Sequence, residues 1–264
     1  MNKKWKKIDE YAQQWIKEAG RRIKDTFQQQ LLIQTKSSRT DLVTNVDREI
    51  EQFFIQKIRS TFPQHRVLGE EGFGDSLAAL EGIVWIIDPI DGTMNFIHQQ
   101  RNFAISIGIY EDGIGMMGYI YDVVHDELYY AHKGAGAFLN GVPLSPLTET
   151  SVSESIVSIN ATWVTKNKRI DANVLAPLVK DARGTRSYGS AALEMAYVAA
   201  GRLDAYITMR LSPWDFAAGF VLVNEVGGIV TNLYGEPLNL LGENSVLVAK
   251  PRLHEEILNT YILK

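Results

Sequence analysis

Residues 83–96 read IVWIIDPIDGTMNF, and this stretch decides the fold. Its first five residues form an unbroken apolar run rich in β-branched side chains, which predicts a strand buried on both faces. Pro89 has no N–H to donate to a ladder, so we expect the strand to end at Asp88, with a turn at Asp91-Gly92. Two carboxylates would then follow a central strand, where open α/β sheets bind their ligands.

The spacing of Asp88 and Asp91 suits a pair of divalent ions. Carboxylate oxygens are hard ligands that Mg²⁺ prefers, and one carboxylate could bridge two ions while the other binds the second. The N–H groups of Gly92 and Thr93 could then hold an anion. Taken alone, an Asp-Gly pair after a strand is also an ordinary structural turn.

The full string Trp85 to Phe96 resembles the signature of the inositol monophosphatase family of lithium-sensitive, magnesium-dependent phosphatases. The resemblance implies an α/β (α+β) protein with the layered α/β/α/β/α sandwich of inositol monophosphatase and fructose-1,6-bisphosphatase, usually as a homodimer. It also implies a single domain over residues 1–264. The half at about 1–148 would carry the metal-binding core, and the half at about 149–264 would close the site.

The composition of the chain fits this class. Of its 264 residues 45% are hydrophobic and 22% charged, which is typical of a globular protein, and a net charge of −4 gives no indication of nucleic-acid binding. No apolar run approaches the length of a membrane span, and no apolar segment follows the basic N-terminus as in a signal peptide. With no cysteine for disulfides, we expect a cytoplasmic protein.

Two further segments before the central strand resemble family motifs. Asp47 falls in the first turn of a predicted helix, where a carboxylate favours the helix dipole, and its segment resembles the family's D-L-V-T-x-x-D string. The resemblance makes Asp47 a residue that orients the attacking water and places Lys36 near the metal carboxylates. Gly69-Glu70-Glu71 resembles the family's G-E-E motif, which makes Glu70 a metal ligand and the base for the water. Alone, each of these acidic residues also suits a capping or solvated role.

Two motifs of the second half complete the predicted site. Gly189, Ser190 and Ala191 open a predicted helix and resemble a family motif that approaches the substrate. Asp215 suits the N-cap of the helix that follows, and by resemblance with the family's W-D-x-A-A-G string it completes the second metal site and contacts substrate.

The resemblance assigns the ligands of Mg²⁺, expected as two or three ions. Glu70, Asp88 and the Ile90 carbonyl would hold the first ion, and Asp88, Asp91 and Asp215 would hold the second. So many carboxylates would repel one another without bound cations, and the absence of histidine and cysteine from the set favours Mg²⁺ over Zn²⁺.

The same resemblance assigns the chemistry. Glu70, with Thr93 hydrogen-bonded to Asp47, would activate a water, and the N–H groups of Gly92 and Thr93 would hold the phosphate. The expected activity is Mg²⁺-dependent hydrolysis of a small phosphate ester by two-metal activation of water.

The identity of the ester is less determined. In animal inositol monophosphatases an acidic residue of the D-A-Y-x-E segment contacts sugar hydroxyls, whereas Thr208 stands at that position here. Arg210 adds a cation that could meet a second anionic group, or could be a solvated surface residue. Inositol monophosphate is the expected substrate; the alternatives are NADP 2′-phosphate, 3′-phosphoadenosine phosphate and fructose 1,6-bisphosphate. A Mg²⁺-dependent binding or regulatory protein is the alternative of another class.

Periodicity and turn residues predict the remaining elements. Phe103 to Ile109 alternates large and small residues and is expected to be a half-buried strand. Asn140-Gly141 predicts a type I′ hairpin turn. The other predictions are two amphipathic helices before residue 62, meander strands at 115–121 and 127–131, a polar junction at 145–155, a strand at 156–160, helices at 172–181 and 190–200, a strand at 203–209, and two strand-like runs around 229 and 246.

Overall fold

A computed structural model describes residues 2–36 and 42–263 of the chain. Asp41, the first residue of the D-L-V-T string, lies outside the described residues. The helices are α1 (Lys3–Asp25), α2 (Asn45–Thr61), α3 (Thr93–Gln99), α4 (Ala172–Asp181), α5 (Ala191–Ala199), α6 (Pro213–Glu225) and α7 (Pro251–Ile257). The strands are β1 (Ile33–Thr35), β2 (Leu42–Thr44), β3 (Arg66–Gly69), β4 (Ile83–Asp91), β5 (Ala104–Glu111), β6 (Ile114–Asp122), β7 (Glu127–His132), β8 (Gly136–Leu139), β9 (Val142–Pro143), β10 (Ile156–Ile159), β11 (Gly184–Arg186), β12 (Ala205–Leu211), β13 (Ile229–Thr231) and β14 (Asn244–Ala249).

The strands form two large sheets that stack with helices in five layers. One sheet has the order β3-β4-β5-β6-β7-β8-β9 and the other the order β11-β10-β12-β14-β13, while β1 and β2 form a separate pair. One apolar core lies between α1, α2 and the seven-stranded sheet. A second core encloses α5 and α6 between the two sheets, and a third lies between the five-stranded sheet, α4 and α7. The predicted α/β/α/β/α sandwich is confirmed.

Strand β4 is buried along its whole length, as its apolar sequence predicts. Ile83, Trp85 and Ile87 face α1 and α2, whereas Val84 and Ile86 face the middle helical layer. The prediction that the strand ends at Asp88 is wrong, because β4 continues to Asp91. Its register with β5 shifts between Asp88 and Asp91, so β4 has one extra residue, a β-bulge, at this place. Pro89 fits this bulge because a residue outside the regular ladder needs no N–H partner.

Strand β5 is buried on both faces, so the prediction of a half-buried strand is also wrong. Its small residues face helix α6 instead of solvent. A Cβ on Gly108 would lie 2.8 Å from the Ala217 Cβ, and the Ser106 hydroxyl donates to the Trp214 carbonyl at 3.2 Å. Small side chains therefore mark the place where α6 packs directly on the sheet.

Most of the other predicted elements are present within a few residues. Helix α2 begins at Asn45 with Asp47 in its first turn, and Gly201 follows α5 with a φ of 69°. Asn140 and Gly141 both have positive φ between β8 and β9, as a type I′ turn requires. In the described part of the chain, every helix is too short or too polar to cross a membrane.

Candidate active site

Three aspartates from distant parts of the chain meet where β4 ends. One carboxylate oxygen from each of Asp88, Asp91 and Asp215 lies within 4.8 Å of the others. Asp88 and Asp91 end β4, and Asp215 lies in the first turn of α6, which packs against the same sheet. Glu70 joins them because β3 runs parallel to β4, with Gly69 in register with Ile87.

Asp88 occupies the centre of this group. It is 2% exposed, and one of its carboxylate oxygens lies within 4.8 Å of a carboxylate oxygen of Asp91 and of Asp215. Burial raises the pKa of Asp88 well above its usual value, and the nearby charges of Glu70, Asp91 and Asp215 raise it further. Ionised carboxyl groups buried this close together repel one another unless protons or a cation neutralise them.

Asp91 is oriented by the start of helix α5. The Ser190 hydroxyl and the Ala192 N–H, the latter at 2.9 Å, both donate to Asp91 Oδ2. Burial raises the pKa of Asp91 to about 6 although these two hydrogen bonds oppose the rise. Ser190 also caps α5 through the Leu193 N–H and is 1% exposed. Ser190 is therefore buried against Asp91 and helps to orient its carboxylate.

Asp215 is the third residue of α6 and not its N-cap, so the capping prediction is corrected. Ser212 is the N-cap, Pro213 takes the first helical position, and Asp215 Oδ2 accepts the Ser212 N–H at 2.7 Å. This reciprocal capping box with Ser212 fixes the orientation of the Asp215 carboxyl group at the start of α6. Burial raises the pKa of Asp215 well above its usual value, and the charges of Asp91 and Glu70 add to the rise.

The predicted hydrogen bond between Thr93 and Asp47 is present. The Thr93 hydroxyl lies 3.1 Å from Asp47 Oδ1 and 3.1 Å from the Ile90 carbonyl oxygen. Asp47 Oδ2 accepts from the Thr44 N–H at 2.9 Å, which completes a capping box at the start of α2. Burial raises the pKa of Asp47 to about 6. These contacts connect the α2 N-terminus to the bulge of β4.

Lys36 lies against the acidic loop after β3. Its ammonium is 2.9 Å from Glu70 Oε1 and 2.5 Å from Glu71 Oε1. Burial raises the pKa of Glu70, and the nearby Lys36 charge opposes that rise. A cleft of about 280 Å³ opens here. It is lined by Lys36, Glu70, Arg210, Ser212, Trp214, Asp215 and Glu243.

The two predicted specificity residues lie in different environments. Thr208 is 6% exposed and lies outside the cleft lining, whereas Arg210 is exposed and lines the cleft. The register of β12 with β14 shifts between Thr208 and Leu211, and Arg210 lies within that bulge. Among the described residues, no hydrogen bond or ion pair engages Arg210.

The backbone of the central motif approaches the start of α5. A Cβ added to Gly92 would lie 3.2 Å from the Gly189 carbonyl oxygen and 3.2 Å from the Ser190 Cβ. Asn95 connects the segments before α5 and β5, because its side-chain amide donates to the carbonyls of Tyr188 and Asn102 at 2.6 and 2.7 Å. Gly189 and Ser190 thus adjoin Gly92, and the predicted contact of Gly189, Ser190 and Ala191 with substrate stays a prediction.

Three buried polar residues near the site escaped sequence analysis. Asn95 is one, and Glu51 and Glu194 are carboxylates buried on helices α2 and α5. Glu194 accepts from the Tyr188 N–H at 2.7 Å and from the Ser158 hydroxyl at 2.8 Å. In the sequence, Glu51 and Glu194 look like exposed charges on the surface of a helix. The four-residue spacing of Asp47 and Glu51 was the one signal that both share a helix face.

The residues present fit a pair of magnesium ions. The donors are carboxylate oxygens and a backbone carbonyl, which suit hard cations. Their burial and mutual contact raise the pKa of every member of the cluster, so a cation would replace protons and remove repulsion.

Comparisons with known proteins agree with this geometry. The sequence profile described as "Inositol monophosphatase family" matches residues 4–262. The inositol-1-monophosphatase of Bacillus subtilis strain 168 is 64% identical over 258 residues, which cover 98% of this chain and 97% of that protein.

Two crystal structures are similar over nearly the whole chain. Inositol monophosphatase-II from Staphylococcus aureus MSSA476 has a TM-score of 0.89 and 49% identity, covering 97% of this chain and 93% of that one. An IMPase/NADP phosphatase complexed with Mg²⁺ and phosphate has a TM-score of 0.90 and 31% identity, covering 99% and 97%.

Proposed function

This chain belongs to the inositol monophosphatase family, and we propose that it is a Mg²⁺-dependent phosphoric monoester hydrolase whose substrate is inositol monophosphate. The observation that carries the proposal is the position of Asp88, which is buried with one carboxylate oxygen within 4.8 Å of an oxygen of Asp91 and of Asp215. A carboxylate in that place can be shared by two cations, and two cations suit the in-line displacement of a phosphate ester.

We assign two ions to the donor sets given by the family resemblance. Glu70, Asp88 and the Ile90 carbonyl would hold one, and Asp88, Asp91 and Asp215 would hold the other; a third ion near Glu70 is compatible with this set. When bound, Mg²⁺ would lower the pKa of a coordinated water and neutralise charge that develops on the phosphate.

The residues of the chain would then position and deprotonate that water. If the Thr93 hydroxyl donates its proton to Asp47, its oxygen presents a lone pair to a water proton. Glu70 lies beside Asp88 and can accept the other proton, while Lys36 stabilises its ionised form. The N–H groups of Gly92 and Thr93 would hold the phosphate that accepts the attack.

A leaving group with a second anionic group is the other candidate. Arg210 is a cation without a partner among the described residues, and it lines the cleft beside Trp214 and Asp215. The name of the related IMPase/NADP phosphatase says that that protein acts on NADP, an ester of this kind, which supports the comparison. NADP, 3′-phosphoadenosine phosphate and fructose 1,6-bisphosphate are therefore substrates to compare.

A panel of these esters and inositol 1-phosphate, assayed for phosphate release with and without Mg²⁺, tests the proposal. We expect Mg²⁺-dependent turnover of inositol 1-phosphate, with inhibition by millimolar Li⁺ as the family resemblance implies. Turnover of the charged esters alone would favour the second candidate. No turnover of any ester at millimolar Mg²⁺ would favour a magnesium-dependent regulatory role.

We also propose that the enzyme acts in the cytoplasm as a homodimer. The absence of cysteine suits a reducing compartment, and the dimer follows from the family resemblance. Light scattering during size-exclusion chromatography would distinguish a dimer from a monomer of 29.6 kDa.

A further inference from the structure

The loop that carries Glu70 is wrapped around a buried carboxylate from helix α2. Glu51 is 0% exposed, and its two oxygens accept separate backbone hydrogen bonds. Oε2 accepts from the Glu71 N–H at 2.6 Å, and Oε1 accepts from the Phe73 N–H at 2.9 Å. An ionised carboxylate satisfies both donors, since each oxygen accepts one of them.

The loop is shaped to admit this carboxylate. A Cβ added to Gly69 would lie 2.4 Å from the Glu51 carboxyl carbon, so a larger residue would displace either the loop or the carboxylate. Beyond the loop, the Asp75 N–H donates to the Val67 carbonyl at 2.6 Å. The chain is thus held on both sides of Glu70 and Glu71.

Helix α2 also carries Asp47, one turn before Glu51. Residues four apart share a helix face, so the same rigid element contacts Thr93 through Asp47 and the Glu70 loop through Glu51. Any shift of this loop relative to α2 would change the distance between Glu70 and the Asp47–Thr93 pair.

We propose that Glu51 is a positioning residue. By accepting the N–H groups of Glu71 and Phe73, it fixes the loop so that the Glu70 carboxylate is oriented to bind a metal ion. The inference rests on the proposed function, because it assumes that Glu70 is a ligand of one of the two ions. It predicts that loss of Glu51 weakens metal binding at the Glu70 site and leaves the site of Asp91 and Asp215 intact.

The first test is Glu51→Gln with Mn²⁺ as the probe, its binding to the substrate-free protein followed by electron paramagnetic resonance. Glutamine keeps the shape but turns one acceptor into a donor that faces an N–H group. We expect the Mn²⁺ dissociation constant of one class of site to rise about 10-fold or more, as for other groups that orient metal ligands. In activity assays the Mg²⁺ concentration for half-maximal rate should rise, with the substrate KM at saturating Mg²⁺ little changed.

Glu225→Gln is the matched control. Glu225 also accepts from two alternate backbone N–H groups, those of Gly134 and Gly136 at 2.8 and 2.9 Å, but it lies at the far end of α6. Its substitution should change Mn²⁺ binding by less than about twofold. Glu70→Gln identifies the affected class of site, and an unchanged Mn²⁺ isotherm in that variant would count against the proposed function itself.

Three results would overturn the inference when Glu70→Gln does weaken binding. Mn²⁺ binding by Glu51→Gln could equal that of the wild type, or both classes of site could weaken equally, as general loosening would produce. The third result can be obtained even if the variant does not fold, because it is measured on the wild-type protein. There the Glu71 and Phe73 amide hydrogens should exchange slowly with solvent, and exchange at the rate of an exposed loop would rule out the proposed contact.

Discussion

At the scale of single residues, the site depends on acidic groups whose burial would be unfavourable without a cation. Asp88 is the clearest case, because burial and three neighbouring carboxyl groups all raise its pKa. A hydrophobic side chain at this buried end of β4 would avoid the free-energy cost of desolvating a carboxylate. Such a residue is retained for function more than for stability.

Replacement of Asp88 by asparagine should therefore separate activity from folding. We expect Asp88→Asn to lower kcat by more than about 100-fold, because the proposed shared ligand of two ions would be lost and metal stabilisation amounts to several kcal/mol. The melting temperature of the metal-free protein should be unchanged or higher, since one member of a repelling cluster is gone.

Asp122→Asn is the control for that comparison. Asp122 is also fully buried on the seven-stranded sheet, but it accepts the N–H groups of Val124 and His125 in a turn. Its replacement should lower stability and leave kcat near the wild-type value. Retained activity in Asp88→Asn would contradict the shared position of this carboxylate.

Arg210 makes the choice of leaving group testable. We expect Arg210→Ala to lower kcat/KM for NADP and fructose 1,6-bisphosphate about 10-fold or more, because a charge-assisted hydrogen bond contributes about 1.5–3 kcal/mol. The value for inositol 1-phosphate should change by less than about threefold, since its leaving group is uncharged. Steady-state kinetics of Arg210→Ala and Arg210→Lys on both kinds of ester measure the difference. An equal loss on all esters would place Arg210 outside substrate selection.

At the scale of elements, helix termini and sheet contacts aim the functional groups. Helix α6 can present Asp215 to β4 because glycines on β5 and β6 let it approach the sheet. Helix α2 is held at its other end by a ring cluster, in which His65 stacks on Phe62 with centroids 4.6 Å apart. The Trp85 indole N–H donates to His65 Nδ1 at 3.0 Å, so this nitrogen is unprotonated.

Gly118 tests the close packing of α6. A Cβ there would lie 2.3 Å from the Ala218 carbonyl oxygen, so Gly118→Ala should lower the free energy of unfolding by about 1–3 kcal/mol. Gly184→Ala is the control, because its Cβ would meet the Arg186 side chain at an ordinary 3.6 Å. Urea denaturation measures both variants. Equal stability of the two would show that α6 has room to move.

His65 should make stability depend on pH. Burial, with a smaller effect of the nearby Lys4 charge, lowers the pKa of His65 to about 4. Between about pH 6.5 and 4 the unfolded chain then binds a proton that the folded protein does not, so stability falls as the pH falls through this range. Since the side chain is partly exposed, we expect the loss to be about 1–2 kcal/mol after solvent screening.

The comparison of wild type with His65→Asn isolates this effect. Asparagine retains an acceptor for the Trp85 N–H but does not titrate. Urea denaturation from pH 7 to pH 4 should show the wild type losing more stability than the variant. Parallel pH curves for the two proteins would assign the acid sensitivity to other groups.

At the scale of the whole molecule, the layered sandwich was predictable because the motifs resemble those of the family, while the hydrophobic periods predicted most of the individual helices and strands. The bulge at Pro89 was not, because a proline normally ends a strand and the bulge depends on pairing with β5. The burial of β5 was missed for a related reason, since the sequence does not show that Ser106 and Gly108 face a helix. Glu51 and Glu194 were missed because only tertiary structure distinguishes a buried helix carboxylate from an exposed one.

The central claim, that Glu70, Asp88, Asp91 and Asp215 hold a pair of divalent ions, can be tested by one diffraction measurement. Crystals grown with Mn²⁺ should show two anomalous peaks about 4 Å apart. Asp88 should contact both peaks, Glu70 one, and Asp91 with Asp215 the other. A single peak away from Asp88, or no peak among these four carboxylates at saturating Mn²⁺, would contradict the account.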